Sequence, residues 1–158
     1  MADYFTNFSL VMKLPSAEAQ KYALDLATQA SGVGQGDEIP ENFPASLRDF
    51  VECWTFETAV DNPREGLGIW LHSQHGGIDA VCAFIQHLLE LYDPDGCVTL
   101  EWSNDCSKPR VDAYGGGAAI ITAKTIKSMA TWEWIQKQVA RFNAHKPQRQ
   151  QSQPLNTN

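Results

Sequence analysis

The stretch Ile78–Tyr92 constrains the fold most, because its apolar side chains recur with the period of an α-helix. They share one wide face, while the polar residues Asp79, Gln86, His87 and Glu90 fall on the other side. The apolar members are Ile78, Val81, Cys82, Ile85, Leu88, Leu89 and Tyr92. A broad apolar face of this kind is typical of a helix packed against a core. The chain must therefore supply a sheet or further helices to cover it.

Segments with alternating apolar and polar residues surround this helix and predict strands at residues 3–13, 53–60, 67–73, 97–103 and 118–123. A second helix should begin at an N-cap, Ser16, and end near residues 32–36, and a third should span about residues 124–142. The order β-α-β-β-α-β-β-α indicates an α+β fold. We expect an antiparallel or mixed sheet of about five strands, with three helices mainly on one face and a ferredoxin-like order in the first six elements.

Length and composition indicate one globular domain. The chain has 158 residues, of which 43% are hydrophobic, enough to form a substantial core. We expect the domain to span residues 1–143 and the polar tail, residues 144–158, to be disordered. No apolar run approaches the roughly 20 residues that cross a bilayer, and the first ten residues do not resemble a signal peptide. A cytoplasmic protein without membrane contact, with its four cysteines reduced, is the expectation.

Charge is unevenly distributed along the chain, whose net charge is −7. Residues 37–65 hold eight acids and two arginines, whereas residues 124–158 hold six cations and one acid. The acidic segment is either ordinary solvated surface or a face for a partner with a basic surface, and for the second case we assign Glu41, Asp49 and Glu52. The negative total argues against nucleic acid as a partner.

Residues 105–122, DCSKPRVDAYGGGAAIIT, form the segment most difficult to explain as ordinary core or surface. Cations beside Cys106 would stabilise a reactive thiolate, but a nucleophile also needs a base, for which only His72 and His75 are candidates. Cations and glycine N–H groups together could bind a phosphate, although a strand rather than a helix follows the glycines. A third interpretation, which we place first, is a glycine-rich β-bulge or bend through which another backbone packs. The candidate ligand or partner residues are Cys106, Lys108, Arg110, Gly115, Gly116 and Gly117.

We assign no catalytic residue, metal ligand or cofactor from the sequence. His72 and His75 have an H-x-x-H spacing, but on a strand or turn and without a second pair of ligands. The pair Gly34 and Gly36 does not follow a strand, which excludes the dinucleotide-binding fingerprint.

Trp134 is the remaining candidate, because it lies on the opposite side of the third helix from Trp132 and Ile135, among cations. An exposed tryptophan in this setting could anchor a protein interface or stack on bases. The alternative is that a second element covers this side and buries the ring.

The string CSKPR at residues 106–110, followed by GGGAAIITA at 115–123 and a tryptophan-bearing helix, resembles a pattern in short acidic proteins encoded by bacteriophages and plasmids. The resemblance covers about residues 66–135. It implies an accessory protein of a mobile element and transfers no catalytic residue to this chain. Small acidic proteins of such elements often bind host machinery stoichiometrically, as anti-defence proteins such as anti-CRISPR proteins do.

We therefore expect a non-enzymatic protein that binds a host protein with a basic surface. A homodimer is left open. The alternative is a domain or enzyme that binds a nucleotide or another phosphorylated small molecule through residues 106–117.

Overall fold

The computed structural model describes residues 2–61 and 66–145. Within these ranges the elements are β1 (Tyr4–Leu14), α1 (Ala17–Gly34), a 3₁₀ helix (Ala45–Cys53), β2 (Glu57–Val60), β3 (Leu67–Ser73), α2 (Ile78–Tyr92), β4 (Cys97–Cys106), β5 (Gly115–Thr122), β6 (Ile126–Ala130) and α3 (Thr131–Ala144). The predicted α+β class is confirmed. The predicted counts were wrong, because the described residues form six strands and four helices.

The strands form one antiparallel sheet in the order β2-β3-β1-β4-β5-β6. Helix α1 connects β1 to β2, and β3 is inserted between these two strands; α2 connects β3 to β4, and β1 is inserted between them. Each helix thus belongs to a split β-α-β unit. Strands β5 and β6 extend the sheet beyond β4, so β6 is an edge strand.

The two long internal helices pack against one face of the sheet. The Ser16 hydroxyl caps α1 by accepting a hydrogen bond from the N–H of Ala19 at 3.1 Å, as predicted. The buried face of α1 consists mostly of alanines, which let the helix approach the sheet closely. Helix α2 buries nine residues and, with Trp54 and Phe56, builds the densest part of the core around Phe84. Burying each such large apolar side chain contributes about 1.5–3 kcal/mol.

His87 is a correction to the sequence interpretation, which placed it on the polar side of α2. The side chain is buried, and its Nε2 atom lies 2.8 Å from the hydroxyl of Tyr22 on α1. Burial therefore extends around α2 because α1 covers this second side. Burial lowers the pKa of His87, and it raises the pKa of Tyr22.

The C-terminal part differs most from the prediction. Residues 126–130, assigned to the last helix, form β6 instead, because the chain reverses between Thr122 and Thr125. The N–H of Thr122 donates to the carbonyl of Thr125 at 2.9 Å, and the Thr122 hydroxyl accepts from the N–H of Thr125 at 3.0 Å. Helix α3 consequently begins at Thr131 and leaves from the end of the edge strand. None of its residues is buried against the described part of the chain.

Two further corrections concern the acidic segment and the glycines. A 3₁₀ helix, which was not predicted, occupies residues 45–53, where Leu47 and Val51 reach the core, and the strand predicted at residues 53–60 begins only at Glu57. Strand β5 begins at Gly115 rather than at residue 118, since the glycines pair with the end of β4. Most of the predicted tail, residues 146–158, lies outside the described residues.

Candidate partner-binding site

The loop between β4 and β5 has a defined shape at both of its ends. At its start, the N–H of Ser107 donates to the carbonyl of Asp3 at 2.9 Å, and the N–H of Asp3 donates to the Ser107 hydroxyl at 2.9 Å. At its end, Asp112 adopts a left-handed backbone conformation with φ of 64°, and Ala113 is buried. The exposed middle of the loop carries Lys108 and Arg110.

The three glycines have a structural role in the sheet. Gly116 has φ of 153°, and a Cβ atom there would overlap with the backbone carbonyl of Trp102. A Cβ atom on Gly117 would overlap with the Trp102 ring, whose Cε2 atom would be only 2.7 Å away. The pairing of β4 with β5 runs without interruption from Cys97–Thr122 to Asn104–Gly115, so no bulge is present between these pairs. The geometry supports the third interpretation, a close approach of backbone and ring.

A phosphate site gains no support from this geometry. The N–H of Gly116, which would have to face an anion, donates to the Thr131 hydroxyl at 3.2 Å. The nearest cavity is lined by Asp105 and Asp112, and neither Lys108 nor Arg110 belongs to its lining. Two carboxylates without a compensating cation repel a phosphate group. The small-molecule alternative therefore has no structural observation in its favour.

Cys106 ends β4, opposite Tyr4 of β1, and is half-buried. Cys106 lies along one edge of β1, and both histidines considered as its base lie along the other edge. His72 of β3 pairs with Ser9, and His75 bridges to Thr6. Strands two positions apart in a sheet are about 9.6 Å apart, well beyond hydrogen-bond reach. His72 instead stacks on Trp70, with ring centroids 3.8 Å apart. The arrangement gives the thiol no general base.

The described ranges offer few groups for metal binding or for thiol chemistry. Within residues 2–61 and 66–145, no group of three or more His, Cys, Asp or Glu residues is arranged to hold a metal ion. Burial raises the pKa of the Cys82 thiol to about 11, which keeps it protonated and unreactive. None of the helices in the same ranges is both long and apolar enough to span a bilayer.

A cavity of about 330 Å³ lies where the start of β1, the end of the loop and the start of α3 meet. Its lining includes four aromatic residues, two acidic residues, Gly115 and Gly116. The aromatic residues are Tyr4, Phe5, Tyr114 and Trp132, and the acids are Asp105 and Asp112. A second cavity, of about 550 Å³, shares Asp112, Tyr114 and Trp132 with the first and continues along α3 to Ile135. We call the two together the aromatic cleft.

Helix α3 presents an apolar face whose side chains are largely exposed. The face consists of Trp132, Ile135, Val139 and Phe142, which are 66%, 49%, 47% and 67% exposed. Their spacing of three, four and three residues places them along one side of the helix. We call this set the α3 apolar face. It begins at the aromatic cleft, because Trp132 and Ile135 belong to both.

The predicted partner residues lie on several separate parts of the protein surface. Trp134 is about half-exposed on the side of α3 away from the apolar face, so the alternative in which a second element buries it is wrong for the described chain. Asp49 and Glu52 are exposed on the 3₁₀ helix, and Glu41 is exposed just before it. Phe50 of the 3₁₀ helix and Glu133 of α3 line one cavity of about 230 Å³, which places the acidic segment beside α3. Gly115 and Gly116 line the aromatic cleft.

Sequence reasoning missed most of the aromatic cleft. Tyr4 lies in the strand predicted at residues 3–13 and Tyr114 in the segment 105–122, but neither of them was singled out, nor was Trp132. Cys106 was singled out, but its cross-strand partner Tyr4, not the thiol, lines the cavity. The nearest signal was the segment 105–122 itself, which contains Asp112 and Tyr114.

Comparison with protein-family models found no match, and comparison with curated proteins found none. Among solved structures the chain is similar to LarC2, described as the C-terminal domain of a cyclometallase involved in the synthesis of the NPN cofactor of lactate racemase, in its apo form. The two share 7% sequence identity with a TM-score of 0.33, over 90% of this chain and 89% of that one. At that TM-score the likeness supports no conclusion about fold or function.

Proposed function

We propose that this chain is a non-enzymatic protein that acts by stoichiometric binding to another protein. The observation that carries the proposal is the α3 apolar face, four large apolar side chains on a helix with no buried residue. An isolated helix shorter than about 12–15 residues is marginal in water, so most of the stability of such a helix comes from packing its apolar face. A partner protein supplies that packing.

The partner is a host protein, and the chain is an accessory protein of a phage or plasmid that inhibits host machinery such as a defence system. Support for this part comes from the resemblance of about residues 66–135 to short acidic proteins of such elements and from the acidic surface beside α3. Glu41, Asp49 and Glu52 extend the contact toward basic residues of the partner.

The test uses the full chain as bait in a host lysate. In one variant, Ile135→Asp and Val139→Asp place charges on the α3 apolar face; in the matched control, Ala140→Asp and Ala144→Asp, both at exposed positions, place the same charges on other sides of the helix. We expect the first variant to weaken binding of the captured protein by at least about tenfold and the control to retain it. Hydrogen exchange should also slow at the α3 amides in the complex.

Two results would contradict the proposal. One is equal capture by both variants, which would place the contact elsewhere. The other is that the wild-type chain captures no protein and sediments as a dimer, while the Ile135→Asp and Val139→Asp variant sediments as a monomer. In that case a second copy of the chain, not a host protein, would cover α3.

A further inference from the structure

We propose that the aromatic cleft binds a cationic side chain, an arginine of the partner protein. This inference rests on the proposed function, because it names the chemical group by which the partner is recognised. It is carried by aromatic residues and the exposed Asp112, which the fold brings together from β1, the loop and α3.

The aromatic rings provide the first part of the recognition. Tyr4, Tyr114 and Trp132 come from three separate segments and are 60%, 59% and 66% exposed, so their faces are accessible in the free chain. Within the described residues, no ring pairing joins any two of them, and neither tyrosine hydroxyl is hydrogen-bonded. Exposed ring faces around a cavity attract cations through the ring quadrupole, and guanidinium groups also stack on them.

A carboxylate provides the second part. Asp105 is next to Cys106, the cross-strand partner of Tyr4, so its side chain points to the other face of the sheet, where its Oδ2 atom accepts a hydrogen bond from the side-chain amide of Asn7 at 3.1 Å. The carboxylate that serves the cleft is therefore that of Asp112, which is exposed. Asp112 lines both halves of the cleft. Among residues 2–61 and 66–145, no lysine or arginine lines either half, so none of these cations neutralises the negative charge in the lining. A planar guanidinium can donate to such a carboxylate while it stacks on a ring.

The shape of the cleft favours a side chain over a larger ligand. The first half, about 330 Å³, is at the lower end of small-molecule sites and suits one long side chain. The second half leads along Trp132 to Ile135, where an apolar neighbour of the arginine can contact the α3 apolar face. Phosphates and nucleic acid are disfavoured by the same carboxylate that favours a cation.

The test follows the indole N–H signals of the labelled protein by NMR during titration with acetyl-Gly-Arg-Gly-amide. The matched control peptide is acetyl-Gly-Gln-Gly-amide, and Trp70 and Trp134 serve as internal controls because neither lines the cleft. We expect a saturable shift of the Trp132 signal with the arginine peptide only, weakened by added salt. Equal shifts with both peptides, or no saturation, would overturn the site.

Variants assign the contacts. Asp112→Asn keeps a residue that tolerates the left-handed conformation, and it should weaken binding of the arginine peptide about threefold or more. Tyr114→Leu should weaken it about two- to fivefold. Glu101→Gln, exposed on β4 outside the cleft, should have no effect. Unchanged affinity in both cleft variants, with melting temperatures showing that they fold, would refute the assignment.

The failures of the two proposals can be separated. If the arginine peptide binds while the lysate yields no partner, the cleft is a cation site and the proposed function is wrong. If a partner is captured through α3 but its affinity is the same for Asp112→Asn and Tyr114→Leu, the proposed function stands and the cleft assignment is wrong.

Discussion

Gly116 is the residue at which the loop sequence has its clearest structural meaning. Its φ of 153° disfavours any other residue, and a Cβ atom would meet the carbonyl of Trp102, a backbone atom that cannot rotate away. The glycine run therefore lets β5 lie against the backbone and ring of Trp102 without a gap. This requirement explains the glycines without any ligand.

We expect Gly116→Ala to lower the free energy of unfolding by about 2–4 kcal/mol, because conformational strain and overlap add. Gly36→Ala is a matched control: Gly36 also has a positive φ, of 113°, but no atom lies within 4 Å of the added Cβ, so only the strain is present. Urea unfolding followed by far-UV circular dichroism measures both variants. Equal losses in the two would mean that contact with Trp102 contributes nothing.

At the scale of elements, the contact between α1 and α2 includes a buried titratable pair. His87 of α2 contacts the Tyr22 hydroxyl, Tyr92 lies beside Tyr22, and Glu90 partly opposes the effect of burial. Since burial lowers the pKa of His87, the unfolded chain binds a proton at higher pH than the folded chain does. The contribution of neutral His87 to the free energy of unfolding is therefore complete above the pKa of histidine in the unfolded chain, about 6.5. It is lost as the pH falls through the pKa of His87 in the folded chain.

We expect the wild-type free energy of unfolding to fall below pH 6.5 with a contribution from His87 of at most about 1.4 kcal/mol per pH unit. His87→Gln should flatten this part of the profile, whereas His75→Gln, at an exposed position, should leave it unchanged. Thermal or urea unfolding at several pH values between 5 and 8 measures the slopes. Parallel profiles for wild type and His87→Gln would exclude His87 as the cause.

The elements differ in how well their sequences predicted them. Helices α1 and α2 were predicted because an N-cap and a long apolar period lie within single stretches of chain. Strand β6 was missed because its turn at Thr122–Thr125 is closed by threonine hydroxyls and lacks the glycine or Asn-Gly pair that marks most tight hairpins. The aromatic cleft could not be predicted, since Tyr4 meets the β4–β5 loop through a strand register set by pairing across about 100 residues.

At the scale of the whole molecule, the apolar and acidic features lie on neighbouring parts of the surface. The α3 apolar face and the aromatic cleft share Trp132 and Ile135, and the acidic 3₁₀ helix meets α3 at a separate cavity that Phe50 and Glu133 line. The cations Lys137 and Arg141 lie on the other side of α3, beside Trp134. One partner can thus contact an apolar helix face and a negative surface at once, and the two contributions should act on different rate constants.

Reversing the charges of Glu41, Asp49 and Glu52 to lysine should slow association with the captured partner by about tenfold at low salt, because these exposed groups act through long-range attraction. The dissociation rate should change little, in contrast to the α3 variant, which should dissociate faster. A reversal of Asp25, Asp95 and Glu101, all exposed elsewhere, changes the net charge equally and is the control. Surface plasmon resonance at 50 and 500 mM NaCl measures both rates. If the control slowed association as much as the first variant did, net charge and not the position of the acidic segment would govern association. If the first variant changed only the dissociation rate, the three acidic residues would be part of the packed interface.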